Sequence, residues 1–75
     1  MNTINATTRD ALILARESTG EDLEVRASRL ADRFNIVRIR STPAGMRAEP
    51  IVMSIPEQRA QEHLLRIANG EQYWA

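Results

Sequence analysis

A strand that runs directly into a helix is predicted for the segment Pro50–Gly70, and this unit constrains the fold more than any other. From Ile51 to Ile55 every second residue is apolar, so one side of an extended segment is wholly hydrophobic. Ser54 and Glu57 have the spacing of a capping box, in which each side chain satisfies a backbone N–H at the start of a helix. The pattern therefore predicts a helix that starts near Pro56.

The apolar residues of this helix recur at helical spacing and form one stripe: Ala60, Leu64, Ile67 and Ala68. Asn69 and Gly70 tolerate the left-handed backbone that ends a helix. An alternating strand beside an amphipathic helix indicates an α+β domain.

Two further helices are predicted in the N-terminal half. The first spans about Thr8–Glu17 and ends before Gly20. The second starts near Gly20, because Ser18 with Glu21, and Thr19 with Asp22, again fit the capping box. Its apolar residues recur at helical spacing: Leu23, Ala27, Leu30, Ala31 and Phe34.

A strand over Ile36–Thr42 follows, since its residues are rich in β-branched types. Val37 and Ile39 are expected to face the core, and Ile36, Arg38 and Arg40 to face the other side. Pro43, Ala44 and Gly45 indicate a turn, and Met46–Glu49 connects it to the strand at Ile51. The predicted order is helix, helix, strand, strand, helix, with the helices on one face of a two-stranded antiparallel hairpin.

Chain length indicates one small domain over residues 1–75, with a loose arm at 1–6 and an aromatic tail at 71–75. A chain this short buries only about 60% of its unfolded surface. The sequence has no cysteine, so neither disulfides nor thiolate metal sites add stability. A homodimer is expected, because two strands form a marginal sheet with open edges and a dimer would also bury the surplus apolar side of the first helix. The alternative is a monomer whose Leu12/Ile13/Leu14 patch is its binding site.

Charge composition argues against a dedicated nucleic-acid binder, because ten basic residues balance ten acidic ones. Every basic residue is an arginine, which indicates a GC-rich bacterium, phage or mobile element as the source. The N-terminal segment has no apolar run of signal-peptide type, and no stretch is long enough for a membrane span. A cytoplasmic protein is expected, in the host cytoplasm if a phage encodes it.

Enzyme chemistry finds no support in the motifs. His63 is the one histidine and lies at the edge of an apolar helical stripe, where a structural role is favoured. Single glycines at 20, 45 and 70 form no phosphate loop, and no residues have metal-ligand spacing. We therefore predict no catalytic, cofactor-binding or metal-binding residues.

Three sets of residues are candidates for binding a partner protein. The first is a guanidinium patch on the outward strand face and in the connecting loop: Arg38, Arg40 and Arg47. The second is the consecutive apolar run Leu12, Ile13 and Leu14, which spans roughly 200° of a helix at about 100° per residue. The third is the aromatic pair Tyr73 and Trp74, which either packs on the core or anchors a partner.

These observations predict a small non-enzymatic regulator or inhibitor that occupies a surface of another protein. A DNA-binding transcriptional regulator that uses the Arg38/Arg40 strand face is an alternative, and a structural subunit of a larger assembly is a third. Residues Ala27–Ile36 resemble the first helix and turn of a helix-turn-helix. The following segment, Val37–Met46, is β-branched and contains Pro43 and Gly45, so it does not supply a recognition helix.

Overall fold

The structure is a computed structural model that describes residues 4–71. Its elements are, in chain order, α1 (Ala6–Thr19), β1 (Asp22–Ala27), β2 (Phe34–Thr42), β3 (Gly45–Ile55) and α2 (Glu57–Ala68). The α+β class is confirmed, but the order has two helices and three strands rather than three helices and two strands. Neither described helix is long and apolar enough to cross a membrane.

The strands form one antiparallel sheet in the order β1-β2-β3, with β2 in the centre. β1 pairs with β2 only from Phe34 to Ile39. The β2–β3 hairpin therefore continues beyond β1 through the pairs Arg40↔Arg47, Ser41↔Met46 and Thr42↔Gly45. We call residues 40–47 the overhang. The turn at its end is the two-residue segment Pro43–Ala44, so Met46 to Glu49 belong to a strand and not to a connecting loop.

The predicted second helix is wrong, since β1 and a loop occupy its place. Leu23 is fully buried and Val25 packs against the core, which is the alternation of a strand. Leu30, expected in the core, is 59% exposed in the loop that follows. That loop is closed by a hydrogen bond from the Ser28 N–H to the Arg33 carbonyl at 2.9 Å. Pairing of β1 with β2 has outweighed the helical spacing of the apolar residues.

The predicted faces of β2 are also reversed. Ile36 is fully buried in the core cluster, whereas Val37, although buried, is not part of it. Arg38 pairs directly with Leu23, a core residue, and opposite residues of an antiparallel pair share a face. Arg38 therefore lies on the helix-covered face, and Val37 and Ile39 lie on the other. An error of one residue in phase moves every side chain of a strand to the opposite face.

Both helices pack on the face that carries Leu23 and Ile36, and they run parallel to each other. The Thr8 hydroxyl donates to Glu57 Oε2 at 2.9 Å near their N-termini. The Ser18 hydroxyl donates to the Ala68 carbonyl at 2.8 Å near their C-termini. The core cluster comprises Ala11, Ala15, Leu23, Ile36, Ala60, Leu64 and Ile67.

The helix starts differ from the predicted caps. α1 begins at Ala6, and Asn5 caps it by accepting from the Thr8 N–H at 2.8 Å. α2 begins at Glu57 after Pro56, without any side-chain cap. The predicted capping box is absent there because Glu57 is engaged by α1 and the Ser54 hydroxyl lies 2.9 Å from that of Ser28.

Candidate functional site

Helix α1 places small residues against the core and large apolar residues outside. Its buried residues are Thr8, Ala11 and Ala15. Ile13 is 44% exposed and Leu14 is 51% exposed. Leu12, the third member of the predicted apolar run, is half-buried and packs against the core cluster. The run therefore divides as its helical angles require, with two of its three side chains directed away from the core.

Leu14 lies beside the seam between the two helices, where α2 contributes a further exposed leucine. Leu14 precedes Ser18 by one turn of α1, and Leu65 precedes Ala68 by nearly one turn of α2. Because Ser18 hydrogen-bonds Ala68, the two leucines flank the same stretch of the seam. Leu65 is 39% exposed. We call Ile13, Leu14 and Leu65 the outer patch.

The outer patch is bordered on α1 by charged residues of both signs. Arg9 and Arg16 are exposed and lie four residues before and three residues after Ile13. Asp10 and Glu17 are exposed and lie four residues before and three residues after Leu14. Residues at these separations are neighbours on a helix surface. An apolar surface bordered by charges of both signs suits a partner that surrounds its own apolar side chains with acidic and basic groups.

Two of the three arginines predicted to bind a partner, Arg38 and Arg40, belong to an ion-pair cluster within the chain. Arg38 is only 8% exposed, and its Nη2 donates to Glu49 Oε1 at 2.8 Å. Arg40 Nη1 donates to Glu49 Oε2 at 3.0 Å. Glu21, just after α1, lies 3.7 Å from Arg38 Nη1. The guanidinium groups of Arg38 and Arg40 thus share the carboxylate of Glu49. The carboxylate of Glu21 approaches the guanidinium of the buried Arg38.

The electrostatics of this cluster favour the ionised form of Glu49. Its pKa lies below the ordinary value because Arg38 donates a hydrogen bond to the carboxylate and Arg40 donates a second. Glu49 is ionised at neutral pH in any case, and the lowered pKa means that it continues to neutralise the buried Arg38 at more acidic pH than an ordinary glutamate would.

Arg47 differs from its two neighbours. It lies on the exposed part of β3, directly opposite Arg40, rather than in a loop. Within residues 4–71 no carboxylate comes within ion-pair distance of its guanidinium. Like charges directly opposite each other in a sheet are unfavourable, so an ion pair between Arg47 and an acidic group of another molecule would be stabilising.

Two residues of these surfaces were not predicted. Glu49 was assigned to a connecting loop, although the turn at Pro43–Ala44 sets a register that pairs Arg38 with Glu49. Reading that two-residue turn from the sequence would have identified the pair. Leu65 was placed beside the apolar stripe of its helix, and only the position of α1 shows that it lies along the same stretch of the helix seam as Leu14.

Tyr73 and Trp74 lie outside the described residues. Over residues 4–71 no group of three or more histidines and carboxylates is arranged to hold a metal ion. Comparisons of the chain with protein-family models, curated proteins and solved structures find no match.

Proposed function

We propose that this protein is a non-enzymatic regulator that binds another protein through the outer patch. The observation that carries the proposal is the arrangement of α1, which buries Thr8, Ala11 and Ala15 while leaving Ile13 and Leu14 about half exposed. Full burial of a leucine or isoleucine is worth about 1.5–3 kcal/mol. If α1 packed only against the core of its own chain, we would expect it to bury its large apolar side chains and expose its small ones.

The charges around the patch describe the surface that a partner would need. Asp10 and Glu17 lie beside Leu14, and Arg9 and Arg16 lie beside Ile13, so a complementary surface carries an apolar groove or knob with groups of both charges around it. The occupant we propose is a different protein, and a second copy of this chain is the outcome that the crosslinking experiment would reveal instead.

The DNA-binding alternative has less support. It requires free arginines on an outward strand face, whereas Arg38 is buried and both Arg38 and Arg40 are bound to Glu49. Phosphate contacts made by these side chains would first have to displace that carboxylate.

Site-specific photo-crosslinking tests the proposed function. A photoreactive residue at Leu14 is compared with the same residue at Leu30, which is 59% exposed but lies in the loop after β1. In extracts of the source or host cell we expect one protein to be crosslinked at position 14, not at position 30, and to be competed by the unlabelled chain.

The crosslinked protein is then purified and its affinity measured by calorimetry. Ile13→Glu is expected to weaken binding at least tenfold because it places a carboxylate on the apolar surface, whereas Leu30→Glu leaves affinity unchanged. Equal losses with both variants, or crosslinks at position 14 only to another copy of the chain, would contradict the proposal.

A further inference from the structure

We propose that the exposed edge of β3 joins two copies of this chain into a dimer with a continuous six-stranded sheet. The contact involves residues 46–50, which include Arg47 and Glu49, and none of the outer patch. It is independent of the proposed function, since it concerns the assembly of the chain and a different surface.

The first support is the position of β3 at the edge of the sheet. In the described sheet, β3 pairs only with β2, and its first residues extend past the end of β1. An edge strand presents backbone groups that have no partner in the sheet and can pair with another strand.

Pro50 shows which backbone groups face outward. It pairs with Val37 and has no N–H, so it is accommodated where a strand nitrogen points away from the neighbouring strand. Antiparallel ladders alternate in direction from residue to residue. The backbone groups of Ala48 and Met46 therefore point toward the same free edge as those of Pro50.

The second support is a self-complementary register centred on Ala48. A two-fold axis between two Ala48 residues pairs them with each other, each Met46 with the other Pro50, and each Arg47 with the other Glu49. The main chains then exchange two hydrogen bonds between the Ala48 residues, and each Met46 N–H donates to a Pro50 carbonyl. Because opposite residues share a face, the Arg47 and Glu49 side chains meet.

The third support is the charge distribution along this edge. Arg47 has Arg40 as its direct neighbour on β2, and no carboxylate of residues 4–71 pairs with it. Glu49 already accepts from Arg38 and Arg40 with one oxygen each, and a carboxylate has about four acceptor positions. It can therefore also accept from Arg47 of the second copy.

The free edge of β1 would gain no comparable ion pair from pairing with a second copy. On β1, Asp22 pairs with Arg16 at 3.4 Å and Glu24 with Arg26 at 3.1 Å, so its charges are satisfied within the chain. Pairing at the β3 edge, in contrast, would give Arg47 an ion pair that it does not have within residues 4–71.

Sedimentation equilibrium of the full chain, over concentrations from micromolar to millimolar, tests the proposal. We expect the mass to rise from the 8.5 kDa of the chain to twice that value. Arg47→Glu is expected to remain monomeric because it would place two carboxylates opposite each other, while it relieves the contact with Arg40. Arg29→Glu, the same charge change in the exposed loop after β1, is expected to dimerise as the wild type does.

Ala48→Pro provides a second test, because it removes the outward N–H at the centre of the contact and is expected to abolish dimerisation. Hydrogen exchange of the wild type locates the contact directly, since the amides of Met46 and Ala48 should slow as concentration rises. A monomer at every concentration, a dimer that tolerates both Arg47→Glu and Ala48→Pro, or exchange of these amides that is independent of concentration would overturn the proposal. If Arg47→Glu fails to fold by circular dichroism, Arg47→Gln and the exchange data decide.

Discussion

Replacing Leu64 and Leu30 by alanine separates the observed fold from the one that helical spacing predicts. Both leucines were expected in apolar helical stripes, with a cost of about 2–5 kcal/mol for either truncation. In the structure Leu64 is fully buried between α2 and the sheet, whereas Leu30 is 59% exposed. The same substitution should therefore have very different effects at the two positions.

Leu64→Ala is expected to lower the free energy of unfolding by about 2–5 kcal/mol, because it removes buried methyl groups and leaves a cavity among Ile36, Ala60 and Ile67. A chain of this length has roughly 4–11 kcal/mol in total. Since each kcal/mol shifts the melting temperature of such a domain by about 4–8 °C, a loss of about 3.5 kcal/mol lowers it by roughly 14–28 °C. Leu30→Ala should change stability by no more than about 0.5 kcal/mol.

Urea unfolding followed by circular dichroism measures both values in one experiment, at one protein concentration so that self-association contributes equally. Equal destabilisation by the two substitutions would mean that residues 23–34 form the predicted helix and that β1 does not exist. A neutral Leu64→Ala would show that the face of α2 is misplaced.

Two other predictions concern polar contacts. Because the pKa of Glu49 is lowered in the folded protein, its contribution to stability is present above the ordinary pKa of 4.5 and is lost as the pH falls through the lowered value. The loss of stability between pH 6 and pH 3 in urea titrations should thus be smaller in Glu49→Gln, and an unchanged loss would contradict the ion-pair geometry. Thr8→Val removes the hydroxyl that donates to Glu57 and should cost about 1–2 kcal/mol, near the lower end for hydrogen bonds to charged groups because Glu57 is only partly buried. The same change at the exposed Thr7 should be neutral within about 0.5 kcal/mol, and equal effects in thermal melts would refute the contact.

The sequence predicted the terminal elements of the fold better than its middle. Helix-stop residues and apolar spacing identify a helix before Gly20 and a strand–helix unit up to Ala68, because neighbouring residues decide those features. The segment from Leu23 to Phe34 has apolar residues compatible with helical spacing and with alternation at Leu23 and Val25. Pairing with β2 decides between them, and that contact joins residues distant along the chain.

Of the candidate site, the exposed apolar run could be predicted from the sequence, whereas the environment of Arg38 could not. The run Leu12–Leu14 has too many apolar side chains for one face, so exposure of some of them follows from helix geometry alone. The role of Arg38 was not predictable in this way, since it depends on the phase of β2. With Ile36 in the core, Arg38 must lie on the covered face, and burial of a guanidinium there requires the carboxylate of Glu49.

The outer patch and the β3 edge are compatible surfaces, and the symmetry of the proposed dimer relates them. A two-fold axis through paired Ala48 residues stands perpendicular to the sheet, because strands added edge to edge keep their faces. The helices of both copies then cover the same face of the six-stranded sheet. Each copy therefore presents Ile13, Leu14 and Leu65 on the same side of the assembly, which would allow a dimer to contact two sites of one partner and gain affinity through effective concentration.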